Sequence, residues 1–295
     1  MIAQLAGILL PVFSLGAVGY LWRRLDFPFE REFVTRLIMN VAGPCLIVDS
    51  LSRLTMPMDE FLRMVAGAMA MFIATVVCAW GMLRIGGLSI RSYLPALSIG
   101  NTGNMGLPLC LFAFGQEGLG LAVAVFVTNS VGQFTLTPIL QSRSSVLRTL
   151  VTTPVVYGAA IGTVVLSFDV QLAGWIATTI GLLGNLMIPL MLLALGHTLG
   201  GLRAKRLGFA VRWGTLRLLL GFLVALGVSE LFGLQGIAKG VLILQGAMPA
   251  AMFNYLFAVR YAREPDDVAG IVLVSTFLGA LLLPGLVSYV LWISG

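Results

Sequence analysis

Gly100-Asn101-Thr102-Gly103-Asn104-Met105-Gly106-Leu107-Pro108-Leu109 lies inside an otherwise apolar run spanning residues 93–115. Its three glycines and three polar side chains make it too polar and too flexible for an unbroken helix. Pro108 also lacks the backbone N–H that the carbonyl of Asn104, four residues earlier, would accept in a helix. The same pairing of a side-chain amide with a proline four residues on recurs at Asn40/Pro44, Asn185/Pro189 and Gln245/Pro249. Composition alone would not scatter four such pairs among twelve prolines. Each predicts an interrupted apolar helix with an amide at the break.

The surrounding chain is a membrane chain. Hydrophobic residues make up 59% of it and charged residues 10%, against roughly 25% charged in a soluble domain, and mean hydropathy is +1.00. Ten apolar spans are predicted, at about 2–22, 33–52, 61–85, 93–115, 117–141, 150–168, 172–198, 209–233, 237–260 and 267–292. No Lys or Arg precedes the first, which is therefore expected to be a retained span rather than a secretory signal. Sorting the 18 basic residues by connection places 15 on one side and 3 on the other. Positive charge marks the cytoplasmic side, so a multi-pass protein of the cell (inner, cytoplasmic) membrane with both termini outside is expected. Cys45, Cys78 and Cys110 all fall in spans and show neither disulfide nor metal spacing.

The breaks repeat. Asn40/Pro44 and Asn185/Pro189 are offset by 145 residues, and Asn104/Pro108 and Gln245/Pro249 by 141. Pro11-Val12-Phe13-Ser14-Leu15-Gly16-Ala17 resembles Pro154-Val155-Val156-Tyr157-Gly158-Ala159, and Pro138 matches Pro284. Residues 1–141 and 150–295 thus read as two five-span repeats joined by a short cytoplasmic linker at 142–149. An odd number of spans per repeat inverts the second relative to the first. Interrupted helices at corresponding positions of inverted repeats point to a transport site.

Residues 100–109 resemble the span-4 signature of the auxin efflux carrier family in its bacterial form, and Ala247-Met248-Pro249-Ala250-Ala251 resembles its span-9 counterpart. With Asn40 to Pro44, the likeness covers essentially the whole chain. It implies an all-α integral membrane fold of ten helices in two inverted repeats, with broken helices 4 and 9 crossing near the midplane. The architecture is similar to that of bile-acid sodium symporters and sodium/proton antiporters. By function, the resemblance divides the chain into scaffold spans 1, 2, 6 and 7 and transport spans 3–5 and 8–10. Plant carriers of the family have an Asn-Pro motif at the span-4 break and often a long loop between spans 5 and 6. This chain has neither, so the resemblance points away from auxin and toward a small carboxylate such as malonate, malate or lactate.

The expected function is secondary active transport of a small organic carboxylate anion by elevator-type alternating access, driven by or coupled to an ion gradient, with the ion open between proton and sodium and uniport or exchange also open. Helix ends at a break expose free N–H groups that suit an anion, and two such ends are expected around Gly106–Leu109 and Met248–Ala251. Candidate substrate-binding residues are Asn101, Thr102, Asn104, Gly106, Pro108, Gln245, Pro249 and Asn254. No Lys or Arg is expected mid-span near the breaks, so the anion would be held by helix ends and amides. The first-half ends, near Ser98–Gly100 and Leu244–Gln245, offer carbonyls to a cation or to donor groups.

Asp49, an acid inside a span, is the candidate for ion coupling; the alternative is a carboxylate paired with Arg53, four residues on. Asn40, Pro44, Asn185 and Pro189 are structural or gating candidates. Asn129 and Gln133 share a face of span 5 and either line the path or bond a neighbouring helix. His197 reads as a helix-end residue. No catalytic residue, metal site or cofactor is expected, and one histidine at a span end leaves no Ser–His pair for a hydrolase. Lacking GxxxxGK[ST], the chain has no nucleotide-driven pump motif. Expected partners are the organic anion and membrane lipid, not nucleic acid. A homodimer through the scaffold spans is a candidate assembly, with Gly16 and Gly19 allowing close helix approach. The alternatives are a cation/proton exchanger of the same fold and a non-transporting membrane receptor.

Overall fold

The computed structural model describes residues 2–142 and 153–295. The expected linker at 142–149, with Arg143 and Arg148, and the start of the span predicted from residue 150 fall almost wholly outside the described residues. Those residues are helical, with a single β-type bridge between Gly100 and Ala250. Among the described residues, seven helical stretches, some running across a break, are long and apolar enough to cross a membrane, and two shorter apolar helices cover Pro154–Ser167 and Gly236–Gly246.

The helices run in order: α1 (Ile2–Arg24), α2 (Arg31–Leu37), a π-turn (Ile38–Ala42), α3 (Gly43–Ser52), α4 (Met58–Ile85), α5 (Ile90–Ser98), a second π-turn (Thr102–Gly106) and α6 (Leu107–Ser142). Then follow α7 (Pro154–Ser167), α8 (Gly174–Asn185), α9 (Met187–Leu199), α10 (Leu207–Leu231), α11 (Gly236–Gly246), α12 (Met252–Arg260) and α13 (Pro265–Ser294). All four amide–proline pairs sit on interruptions. Asn40/Pro44 and Asn104/Pro108 coincide with the π-turns, Asn185/Pro189 with the α8–α9 step, and Gln245/Pro249 with the gap between α11 and α12. At the two π-turns the mechanism is the same. Gly43 N–H reaches Ile38 C=O and Leu107 N–H reaches Thr102 C=O, five residues back. The next residue is the proline with no donor to continue the α pattern.

α6 turns sharply at Gly115 (φ 67°, ψ −155°), a conformation open essentially to glycine alone. The chain then returns on itself, since Asn129 donates to the carbonyl of Gly100 and the hydroxyl of Thr102. The predicted boundary between the fourth and fifth spans falls at this turn. Gly115→Ala is expected to cost about 1–3 kcal/mol for the forced backbone, read as a lowered melting temperature in detergent. An unshifted melting curve would contradict the turn.

Packing forms two groups. α1 lies along α9, and α3 packs on α7 and α8. α10 and α11 pack on α13, and α4 packs on α5 and α6. α3 and α1 touch α6, so the groups meet along that helix. A methyl at Gly19 would collide with the backbone carbonyl of Leu193, and one at Gly196 with that of Gly16. The close approach foreseen for Gly19 is therefore made within the chain, between α1 and α9, where Gly196 also packs on the Gly16 carbonyl while the Cα face of Gly16 is open.

Candidate functional site at the helix crossing

α5 ends at Ser98, where Ile99 takes extended backbone angles (φ −102°, ψ 112°). α11 ends at Gly246, and Ala251 is likewise extended (φ −65°, ψ 140°) before α12. The two breaks meet. Asn101 N–H donates to Pro249 C=O at 2.7 Å, and Ala251 N–H donates to Ile99 C=O at 3.0 Å. Each interruption thus supplies the hydrogen bonds that the other lost, which is the condition for irregular backbone at membrane depth. Three side chains brace the crossing. Asn254 Nδ2 donates to Ile99 C=O at 3.1 Å, Gln133 Nε2 donates to Asn254 Oδ1 at 3.1 Å, and Ser275 Oγ accepts from Ala250 N–H at 3.2 Å. Asn129 adds its two bonds from α6, so Asn129 and Gln133 both bond to neighbouring segments, and both also line the small cavity at the crossing.

A cavity of about 30 Å³ opens at the crossing, lined by Gly100, Asn101, Thr102, Gly103 and Asn104 from one break and by Ala251 and Phe253 from the other. An adjoining cavity of about 90 Å³ shares Asn104, Met39, Met191 and Phe253, and leads to Phe29 and Arg31 at the start of α2. The starts of the second half-helices, with their free N–H groups, therefore border one space. They lie at Thr102 and Met252 rather than at Gly106–Leu109 and Met248–Ala251. The π-turn begins the first of them early, and extended backbone at Ala251 delays the second. Asn101 is 4% exposed, and its Nδ2 has no hydrogen-bond partner among the described residues.

The remaining candidates are placed differently. Gly106 and Gln245 lie against each other, away from the cavity lining, and any side chain at Gly106 would strike the Gln245 carboxamide. Pro108 is buried at the second position of α6. Pro249 gives its carbonyl to the crossing while its ring faces Gly279 on α13. Asn254 braces the backbone as described.

Asp49 is 8% exposed on α3, and its Oδ1 accepts from Arg53 Nε at 3.0 Å and Nη2 at 2.9 Å. It borders a separate polar cavity with Ser52, Thr55, Asp169 and Gln171. Asn40 is exposed, its Nδ2 donating to Arg36 C=O, and Asn185 is exposed as well. Pro44 abuts Gly158 of α7, and Pro189 lies in the first turn of α9. His197, near the end of α9, stacks on Phe29 with ring centroids 4.4 Å apart.

One residue overturns the expectation that no basic side chain lies near the breaks. Arg217, sorted by sequence with a cytoplasmic connection, sits ten residues into α10 and is 3% exposed. At 1.5 Å of rise per residue, that places it about 15 Å from the helix start. Its guanidinium reaches the crossing. The signal was present, because the eighth predicted span, 209–233, already enclosed it, and an ionisable residue inside a span is a site candidate by default. Removing it from the tally leaves fourteen basic residues against three, so the charge bias stands.

Residues 138–287 match the membrane transport protein family. Over 93% of its length the chain is 27% identical to an uncharacterised transporter of Methanothermobacter thermautotrophicus, covering 95% of that protein. It is 25% identical to an uncharacterised transporter of Methanocaldococcus jannaschii over 94% of this chain and 96% of the relative. It is also 24% identical to a Rhizobium meliloti protein named "Putative malonate transporter", over 96% and 95% of the two chains. The family match covers half of the chain, and the relatives match it nearly end to end. This multi-pass membrane protein therefore belongs to the membrane transport protein family, that of the auxin efflux carriers whose signature its broken fourth span resembles.

Proposed function

We propose that the protein is a secondary carrier of a small organic carboxylate, binding it at the helix crossing and moving it by an elevator-type alternating access. The observation that carries this reading is one cavity bordered by two helix starts and by Asn101, an amide with an unused donor. Free N–H groups and an unpaired amide nitrogen offer hydrogen bonds to an anion without a neutralising salt bridge at the cavity wall. That arrangement suits release as well as capture. The malonate named for one relative makes dicarboxylates the first compounds to try.

In this reading the chain crosses the cell membrane ten times, as two inverted repeats with both termini outside. α1 to α3 and α7 to α9 form the scaffold, and the crossing moves with α4 to α6 and α10 to α13. The adjoining cavity that ends at Arg31 is the path to the cytoplasm, where a basic residue would attract the anion. Purified protein in proteoliposomes, offered a panel of labelled mono- and dicarboxylates, tests the proposal. Uptake or exchange of at least one is expected, and no flux with any of them refutes it.

Coupling is assigned to a proton carried at Asp49. Its carboxylate is largely buried, held by a single arginine and bordered by a polar cavity. Asp49→Asn is expected to make uptake indifferent to an imposed pH gradient while carboxylate exchange persists. A variant that follows the gradient as the parent does removes Asp49 from coupling.

A further inference from the structure

Arg217 is charged, buried and without a carboxylate partner among the described residues. It is held by carbonyls alone. Nη1 donates to Leu97 C=O at 3.2 Å, and Nη2 donates to Met248 C=O at 3.2 Å and Gly246 C=O at 3.4 Å. Leu97 belongs to the last turn of α5, Gly246 closes α11, and Met248 lies in the break that follows. The guanidinium therefore sits where the C-terminal ends of both first half-helices converge. Each such end carries about half a negative charge, and the two together balance one cation. A side chain at Gly100 would run into this guanidinium, so the glycine beside the bridge leaves the space it fills.

In carriers built from broken helices, unwound carbonyls and half-helix C-termini are where a coupling cation is coordinated. The geometry points to Arg217 as a resident cation in that position, a positioning residue that replaces an exchangeable sodium ion at the crossing and holds the two breaks in register. The helix starts then remain free for the anion on the other side of the bridge. On this inference the crossing takes no sodium, and transport by this chain is indifferent to it. The inference rests on the carrier reading of the crossing and specifies which ion that site excludes.

Sodium replacement is the direct test. Carboxylate flux into proteoliposomes is expected to be the same in sodium and in choline buffers, and flux that rises with sodium overturns the proposal. Arg217→Ala is expected to lower flux about tenfold or more, the scale of losing hydrogen bonds to a charged group. Millimolar guanidinium is expected to restore it, whereas urea, a neutral molecule of the same shape, is not. Wild-type flux in Arg217→Ala, equal rescue by urea, or no rescue in a folded variant each overturns it.

The melting temperature separates this inference from the carrier reading. Guanidinium but not urea is expected to raise that of Arg217→Ala even if no carboxylate is transported. Should Arg217→Ala fail to fold, Arg217→Lys retains the charge. Its flux is expected to stay indifferent to sodium, and sodium stimulation overturns the proposal.

Discussion

Replacing Asn101 by alanine is expected to lower carboxylate flux about tenfold or more while leaving the melting temperature essentially unchanged. The Nδ2 of Asn101 is buried without a partner, so the side chain already bears the cost of an unmade hydrogen bond. Deleting a donor that bonds nothing in the folded protein costs little stability, whereas losing a hydrogen bond to a charged ligand costs about 1.5–3 kcal/mol. The backbone contribution survives the substitution, because Asn101 N–H continues to reach Pro249 C=O. A clear fall in melting temperature with flux intact would assign Asn101 to the architecture instead of the anion. The measurement pairs a differential scanning assay in detergent with proteoliposome uptake of the best carboxylate from the panel.

Asn254→Ala is expected to do the reverse in stability. This carboxamide is 3% exposed and links three segments, donating to Ile99 C=O and accepting from Gln133 Nε2. Truncation strands Gln133 Nε2 and leaves Ile99 C=O with the Ala251 N–H as its remaining bond. A buried unsatisfied group costs about 1–3 kcal/mol. The melting temperature should therefore fall clearly, with flux falling too as the crossing loosens. A variant as stable as the parent would show that the Asn254 bridge is dispensable. These two outcomes together would place one asparagine at the ligand and the other on the backbone, a distinction that neither residue type nor spacing carries.

The breaks were legible in the sequence because their cause is local. A proline removes one donor at a fixed distance, and an amide four residues earlier marks the place whatever else surrounds it. The pairing of Asp49 with Arg53 was open to the same kind of reading, since residues four apart share a helix face. The start of the second half-helix at Thr102 was not, because a five-residue π-turn precedes Leu107 and the sequence does not announce it.

Arg217 was misplaced for a different reason. Charge sorting assigned it to a connection although the predicted span 209–233 enclosed it, and only packing of α10 against the crossing shows which groups its guanidinium meets. Gly19 likewise signals close helix approach without naming the neighbour, which proves to be α9 of the same chain. Local chemistry could be read from the letters, while partners such as Leu97 for Arg217 and Gln133 for Asn254 lie more than a hundred residues away.

The bond from Asn101 to Pro249 has a consequence for biosynthesis. At roughly 5–20 residues per second, the ribosome needs on the order of ten seconds or more to deliver the second partner after the first has emerged. Through that interval the opening half of the protein stands in the bilayer with exposed peptide groups that neither lipid nor its own helices can satisfy. The nascent molecule is therefore least satisfied just before residues 236–260 are inserted, the stage at which quality-control proteases would find it most open.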